Sequence, residues 1–119
     1  MIEAKLTSLL RTVCPSVFPV NAPQGVKAPF VIYSRVSTTR LRDFDGPTGN
    51  AMPTFRVDVY ALDFDLARSL ASSIRKKLDG YSDDTLDDCQ LVNEQDLSDL
   101  TNNVALTRIN LEFKVSHKE

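Results

Sequence analysis

A chain of 119 residues with 42% hydrophobic, 8% aromatic and 25% charged side chains has the composition of one ordinary folded domain, and a domain of this size buries about two-thirds of its unfolded surface, enough for a core without disulfides or a metal. Four glycines and six prolines exclude collagen-like and low-complexity chains, and the apolar content excludes disorder. The formal net charge of −2 argues against a general binder of nucleic acid or of anionic membranes.

At the N-terminus Ile2, Leu6, Leu9, Leu10 and Val13 form one apolar stripe at helical spacing. Glu3, Lys5 and Arg11 interrupt it, so neither a secretory signal nor a membrane span of about 20 residues is expected, and the chain is expected to stay in the cytoplasm. Pro15 closes the helix by disfavouring helical geometry in the residue before it. Residues 15–29 hold Pro15, Pro19, Pro23, Gly25 and Pro29 and read as an extended connector whose Val17, Phe18 and Val20 tuck against the core.

Residues 30–38 are rich in β-branched and aromatic side chains, which predicts a strand. A second strand over 54–62 alternates Phe55, Val57, Val59 and Ala61 with Arg56, Asp58 and Tyr60, the pattern of a sheet covered on one face and wet on the other. Between them, residues 39–53 carry Arg40, Arg42, Asp43, Asp45, Gly46, Pro47, Gly49 and Pro53 and read as a long hairpin loop. Hairpin connections usually take about two to five residues, so a longer one points to function or disorder.

Asp63 or Asp65 can cap the next helix, with stripe Leu66, Leu70, Ile74 and Leu78 and with Ala67 and Ala71 beside it. Arg75, Lys76 and Lys77 suit the negative end of its dipole, and Gly80 suits the C′ position. Strands are predicted at about 88–97 and 104–116, the last alternating Ile109, Leu111, Phe113 and Val115 with Arg108, Asn110, Glu112 and Lys114. The expected architecture is α+β: a mainly antiparallel four-stranded sheet with two helices packed on one face, in the order helix, strand, strand, helix, strand, strand, forming a single domain over 1–119.

Charge is unevenly placed. Residues 1–60 carry seven basic and four acidic side chains, a net of +3, and residues 61–119 carry seven basic and twelve acidic, a net of −5. Asp79, Asp83, Asp84, Asp87, Asp88, Glu94, Asp96 and Asp99 occur between 79 and 99 with no lysine or arginine among them. Such a run is ordinarily a solvated surface; the sharper reading sets an acidic edge of one subunit against a basic edge of another.

Catalytic chemistry has little to start from. His117, the only histidine, lies near the C-terminus, where chains fray. No serine has a partner histidine in a suitable context, and the scattered glycines match neither a dinucleotide loop nor a P-loop. Asp43-Phe44-Asp45-Gly46 resembles the start of a calcium loop without its later ligands, and Asp83-Asp84 and Asp87-Asp88 read as solvated acids. Cys14 and Cys89 fit no zinc spacing and are expected as unpaired thiols. Arg35, Arg40, Arg42 and Arg56 make a weak basic patch with no DNA-reading motif. No cofactor, no metal and no enzymatic activity are expected.

The arrangement resembles a known family. The similarity runs from the N-terminal helix through Pro23-Gln24-Gly25, Pro29-Phe30-Val31-Ile32-Tyr33 and Phe55-Arg56-Val57-Asp58-Val59-Tyr60-Ala61, then through the helix at 66–78 and the apolar strand at 109–115. These pieces, in this order, are similar to the tail-completion proteins of long-tailed bacteriophages and prophages, also called tail terminator or head–tail joining proteins. The resemblance implies a non-catalytic virion component at the head–tail junction, made in the bacterial cytoplasm. It implies a homo-oligomeric ring, commonly hexameric, that caps the tail tube, stops its polymerisation and docks to a head-completion or connector protein. DNA would only pass through the ring in transit.

Two expectations follow for such a ring. The segment 39–53 projects and contacts the neighbouring subunit or the tube, and Arg40 and Arg42 meet acidic residues of 79–99 across the subunit boundary, with Arg40, Arg42, Asp43, Asp45, Asp83, Asp84, Asp87 and Asp88 as the expected interface residues. The competing readings are another neck component, such as a head-completion or minor tail protein, and a non-viral oligomeric module binding a small ligand.

Overall fold

Helix α1 (Ile2–Arg11) forms where the apolar stripe places it and buries Ile2, Leu6, Leu9 and Leu10. It unwinds through Thr12 and Val13, whose amides reach back to the carbonyls of Leu9 and Leu10, so that Val13 packs beside the core from outside the helix. The computed structural model describes residues 2–20, 25, 27–44, 46–84, 86–101 and 104–118. Over these, α1 is followed by strands β1 (Val17–Pro19), β2 (Phe30–Asp43) and β3 (Gly46–Ala61), helix α2 (Phe64–Leu78), and strands β4 (Leu86–Thr101) and β5 (Val104–Lys118).

The sheet differs from the expected four-stranded, mainly antiparallel one. It is five-stranded and mixed, in the order β1-β2-β3-β5-β4, because part of the proline-rich connector pairs with β2 in parallel. Val31 donates its amide to the Ser16 carbonyl and Val20 donates to the Tyr33 carbonyl, both at 2.8 Å. A strand of three residues ending in proline is too short to show an alternating period. Of the connector residues expected in the core, Val17 is buried and Phe18 half-buried, but Val20 is 65% exposed.

Val20 also has φ of 65°, a left-handed backbone that a β-branched residue rarely adopts. This turn ends the pairing of β1 with β2. Because the side chain packs little, Val20→Asn, which tolerates that conformation, should stabilise the fold by about 1 kcal/mol. A denaturation midpoint at or below that of the parent would refute the strain argument.

A second correction concerns residues 39–53. They are not a loop: β2 and β3 stay paired nearly to their junction, with Thr39 facing Met52, Arg40 facing Ala51 and Asp43 facing Gly46. Glycine and proline concealed this, yet each has a place compatible with strand. Gly46 and Gly49 take φ of 112° and 83°, and Pro53 lies where β2 makes no demand for an amide. Asp45, within the expected loop, lies outside the described residues.

The β2–β3 and β4–β5 hairpins run past the rest of the sheet at opposite ends, because β5 finishes opposite Asn50 while Ala61 of β3 faces Thr107. The body is accordingly elongated, 54 × 24 × 22 Å.

Both helices lie over one face. Its buried layer holds Val31 and Tyr33 from β2, Phe55, Val57, Val59 and Ala61 from β3, and Ile109, Leu111, Phe113 and Val115 from β5. Helix α2 is capped by Asp63, whose carboxylate accepts the Asp65 amide at 3.2 Å. It buries Ala67, Ala71, Ile74 and Leu78, while Leu66 is exposed, so its contact stripe is turned toward the alanines that let the helix approach the sheet. Gly80, at φ of 81°, donates its amide to the Cys89 carbonyl at 2.7 Å and links the helix exit to β4. His117 is not in a frayed tail either; it pairs with Ala51 and Leu86 and is buried.

Candidate assembly interface

The two hairpins place the chain's charge at the two sides of the sheet. β2 carries three arginines and one aspartate, whereas β4 carries five acidic residues and no base. Since the order is β1-β2-β3-β5-β4, the basic and acidic strands lie toward opposite edges. β1 pairs with β2 only at Val31, Ile32 and Tyr33. Among the described residues, no strand pairs with the outer side of β2 beyond Tyr33 or with the outer side of β4.

Reading the register across the sheet gives a level for each residue. Arg35, Phe55, Phe113 and Leu91 form one row, and Ser37, Thr54, Lys114 and Gln90 the next. Arg40 shares a row with Ala51, His117 and Leu86. The register breaks twice along each edge strand: β2 carries one extra residue, Val36, and at Leu41 faces three residues, 48–50, of β3, whereas β4 carries extra residues at Val92 and Asp87. Val36 and Val92 flank the row of Arg35 and Leu91 from its two sides, and Leu41 and Asp87 flank the row of Arg40 and Leu86. Val36 and Val92 are the exposed valines of the inner pair, 51% and 46% accessible.

The residues expected at an interface separate into three groups. Arg40 and Arg42 are exposed on the β2 edge, and Asp87 and Asp88 are exposed on the β4 edge at the level of Arg40. Asp43 ends β2 opposite Gly46, and Asp84 is exposed in the loop before β4. Asp83 is engaged within the chain: it lies 2.5 Å from the Lys5 ammonium, accepts the Tyr81 hydroxyl at 2.8 Å and accepts the Leu86 amide at 2.9 Å. The Asp83 contact, followed by Tyr81, holds the Lys5 pKa above its usual value. Arg40 and Arg42 thus lie on the β2 side of the sheet, and Asp87 and Asp88 on the β4 side.

Several surface features escape a reading by residue type. Arg68 of α2 bridges Glu94 at 2.7 Å and also Asp96, so part of the acidic run is neutralised against the helix. Phe44 stands fully exposed at the tip of the β2–β3 hairpin. The Val36 and Val92 interruptions do have a sequence sign, since in Arg35-Val36 and Leu91-Val92 the alternation slips by one residue.

The face away from the helices is less wet than alternation predicts. Phe30 and Tyr60 stack with ring centroids 4.8 Å apart, with Phe18, Ala28 and Ile32 beside them. Next to them Asp58 is 6% and Asn110 3% exposed. The Asn110 amide donates to Asp58 Oδ1 at 2.8 Å, and Arg108 Nε approaches the same oxygen at 3.3 Å while its guanidinium lies over the Tyr60 ring. Asp58→Ala would strand the buried Asn110 amide and should cost about 1–3 kcal/mol. Asp58→Asn retains an acceptor and should cost less; equal losses in urea titrations would contradict this account.

Among the described residues no three histidine, cysteine, aspartate or glutamate side chains converge as a metal site. No helix is long and apolar enough to cross a membrane.

Comparison with known proteins bears on the whole chain. No curated protein sequence matches it. A chain from the virion of a native gene transfer agent particle shares the fold, with a TM-score of 0.68, 16% identity, and coverage of 96% of this chain and 92% of that one. The family model described as tail completion protein gp17 matches residues 2–118, and the chain belongs to that family.

Proposed function

We propose that this protein is a structural subunit of the phage neck that closes into a homo-oligomeric, hexameric ring on the end of the tail tube. The ring ends tube polymerisation and presents the surface to which the head docks through its completion or connector protein. Family membership supports the tail assignment, and the likeness to a chain of a gene transfer agent virion agrees with it. The observation that carries the ring is the opposite charge of the two sheet edges at one level, Arg40 on β2 and Asp87 and Asp88 on β4. A ring needs a heterologous contact in which one patch meets a different patch of the next copy. Complementary edges supply such a contact and disfavour like edges meeting. DNA would cross the ring in transit, and the work is assembly rather than catalysis.

The test is to mix purified protein with tail tubes assembled without it and to image the tube ends. A ring at one end only, together with overlong tubes in a null mutant, is the expected result. Finished tails beside filled heads in the null mutant would instead assign the protein to the head side of the neck.

A further inference from the structure

The two edges of the sheet match in more than charge. β2 runs toward the end of the molecule bearing the β2–β3 turn, and β4 starts at that same end and runs away from it. Two copies set side by side at one level, β2 of one against β4 of the next, therefore bring these strands together antiparallel. The interruptions decide whether such a pair can stay in step. A bulge adds one residue to its strand, and an edge with a bulge is a poor partner for a regular strand. Here Val36 of β2 and Val92 of β4 are each an extra residue beside the same row, that of Arg35 and Leu91, so these two offset each other, while Asp87 is a further extra residue of β4 just beyond them.

Resting on the ring reading above, we infer that neighbouring copies join their sheets directly, residues 34–39 of one copy pairing antiparallel with residues 88–93 of the next in one unbroken register. Ser34 faces Asn93, Ser37 faces Gln90 and Thr39 faces Asp88, and Arg40 comes beside Asp87. Val36 comes opposite Leu91 and beside Val92, so the exposed valines are covered together. The partner is a second copy of this chain because it presents both the bulge pattern and the charge that this edge requires. Paired main-chain groups supply adhesion, while the bulges and the Arg40–Asp87 pair select register and reject flat, unrelated strands.

Cysteine pairs read the register. Ser37 and Gln90 are exposed and lie in one row on the same face of the sheet. Inside one copy they are three strand spacings apart, about 14 Å, too far for a disulfide. Between copies the inferred pair puts their Cα atoms about 5 Å apart, which suits one. The native thiols interfere little: Cys14 and Cys89 are buried, and burial raises the Cys89 pKa to about 12.

Under mild oxidation Ser37→Cys/Gln90→Cys should give a ladder of linked copies, a mixture of the two single variants should give dimers only, and Ser37→Cys/Asn93→Cys should give neither. Oligomers seen by sedimentation without the 37–90 link, or with the 37–93 link instead, would overturn the edge pairing and leave the ring reading standing. A chain that stays monomeric alone and with tail tubes would overturn both. A 37–90 ladder from protein that never caps a tube would uphold the pairing and remove the tail-capping function.

Discussion

Replacing Phe113 by alanine is expected to destabilise the protein by about 3–5 kcal/mol, as large aromatic truncations in sealed cores do. Phe113 is fully buried at the middle of β5, directly between Phe55 of β3 and Leu91 of β4, under the helical layer. Both flanking strands are held by the sheet, so neither neighbour can move far to fill the space. A domain of this size commonly has about 5–15 kcal/mol in total, so one truncation would remove a large share of it. Phe113→Leu, which retains most of the volume, should cost less than about 1.5 kcal/mol. Urea titrations decide the matter. Equal midpoints for Phe113→Ala and the parent would mean that the site is not the packed centre described above.

The contrast between this core and the sheet edges shows what sequence alone reveals. The core was legible because it repeats: Phe55, Val57, Val59 and Ala61, then Ile109, Leu111, Phe113 and Val115, alternate without a break, and all are buried. Helix α2 was legible from its ends, through Asp63 and Gly80. Its buried side was less so, because small alanines at a helix–sheet contact displaced Leu66 to the surface. β1 was hidden because its pairing with β2 depends on tertiary contact and spans three residues. The far half of the β2–β3 hairpin was hidden because glycine and proline usually mark turns, whereas here they sit within a paired ribbon.

For the candidate interface, charge asymmetry was visible before any fold, in the +3 and −5 of the two halves of the sequence. The order β1-β2-β3-β5-β4 turns that difference along the chain into a difference across the sheet. The levels of the bulges could not be read beforehand, because a level exists only once four strands are in register. Asp83 shows the opposite case, an acid in the charged run whose partners, Lys5 and Tyr81, belong to the same chain.

Reversing the β2 arginines should abolish self-assembly while leaving the subunit folded. Arg40 and Arg42 are exposed, and surface substitutions usually change stability by less than about 0.5 kcal/mol. At the proposed contact, Arg40→Glu sets a carboxylate beside Asp87, and Arg42→Glu adds a second negative charge at the same end of the β2 edge. An exposed ion pair contributes at most about 1 kcal/mol, and its reversal adds repulsion of similar size, so the Arg40–Asp87 contact shifts association by about 2 kcal/mol, roughly thirtyfold. Asp87→Lys/Asp88→Lys should be equally defective. The chain carrying all four changes should assemble again, because attraction is restored with its sign exchanged. Raised salt should weaken the parent and the fourfold variant alike, since the screening length is about 10 Å at 0.1 M. Sedimentation velocity compares the four proteins at one concentration. Assembly of either double variant at the parental level, or failure of the fourfold variant to recover while remaining folded by circular dichroism, would remove these residues from the contact. Rescue discriminates more sharply than loss: many disturbances prevent assembly, but only residues that face one another across the subunit boundary regain it by exchanging charge.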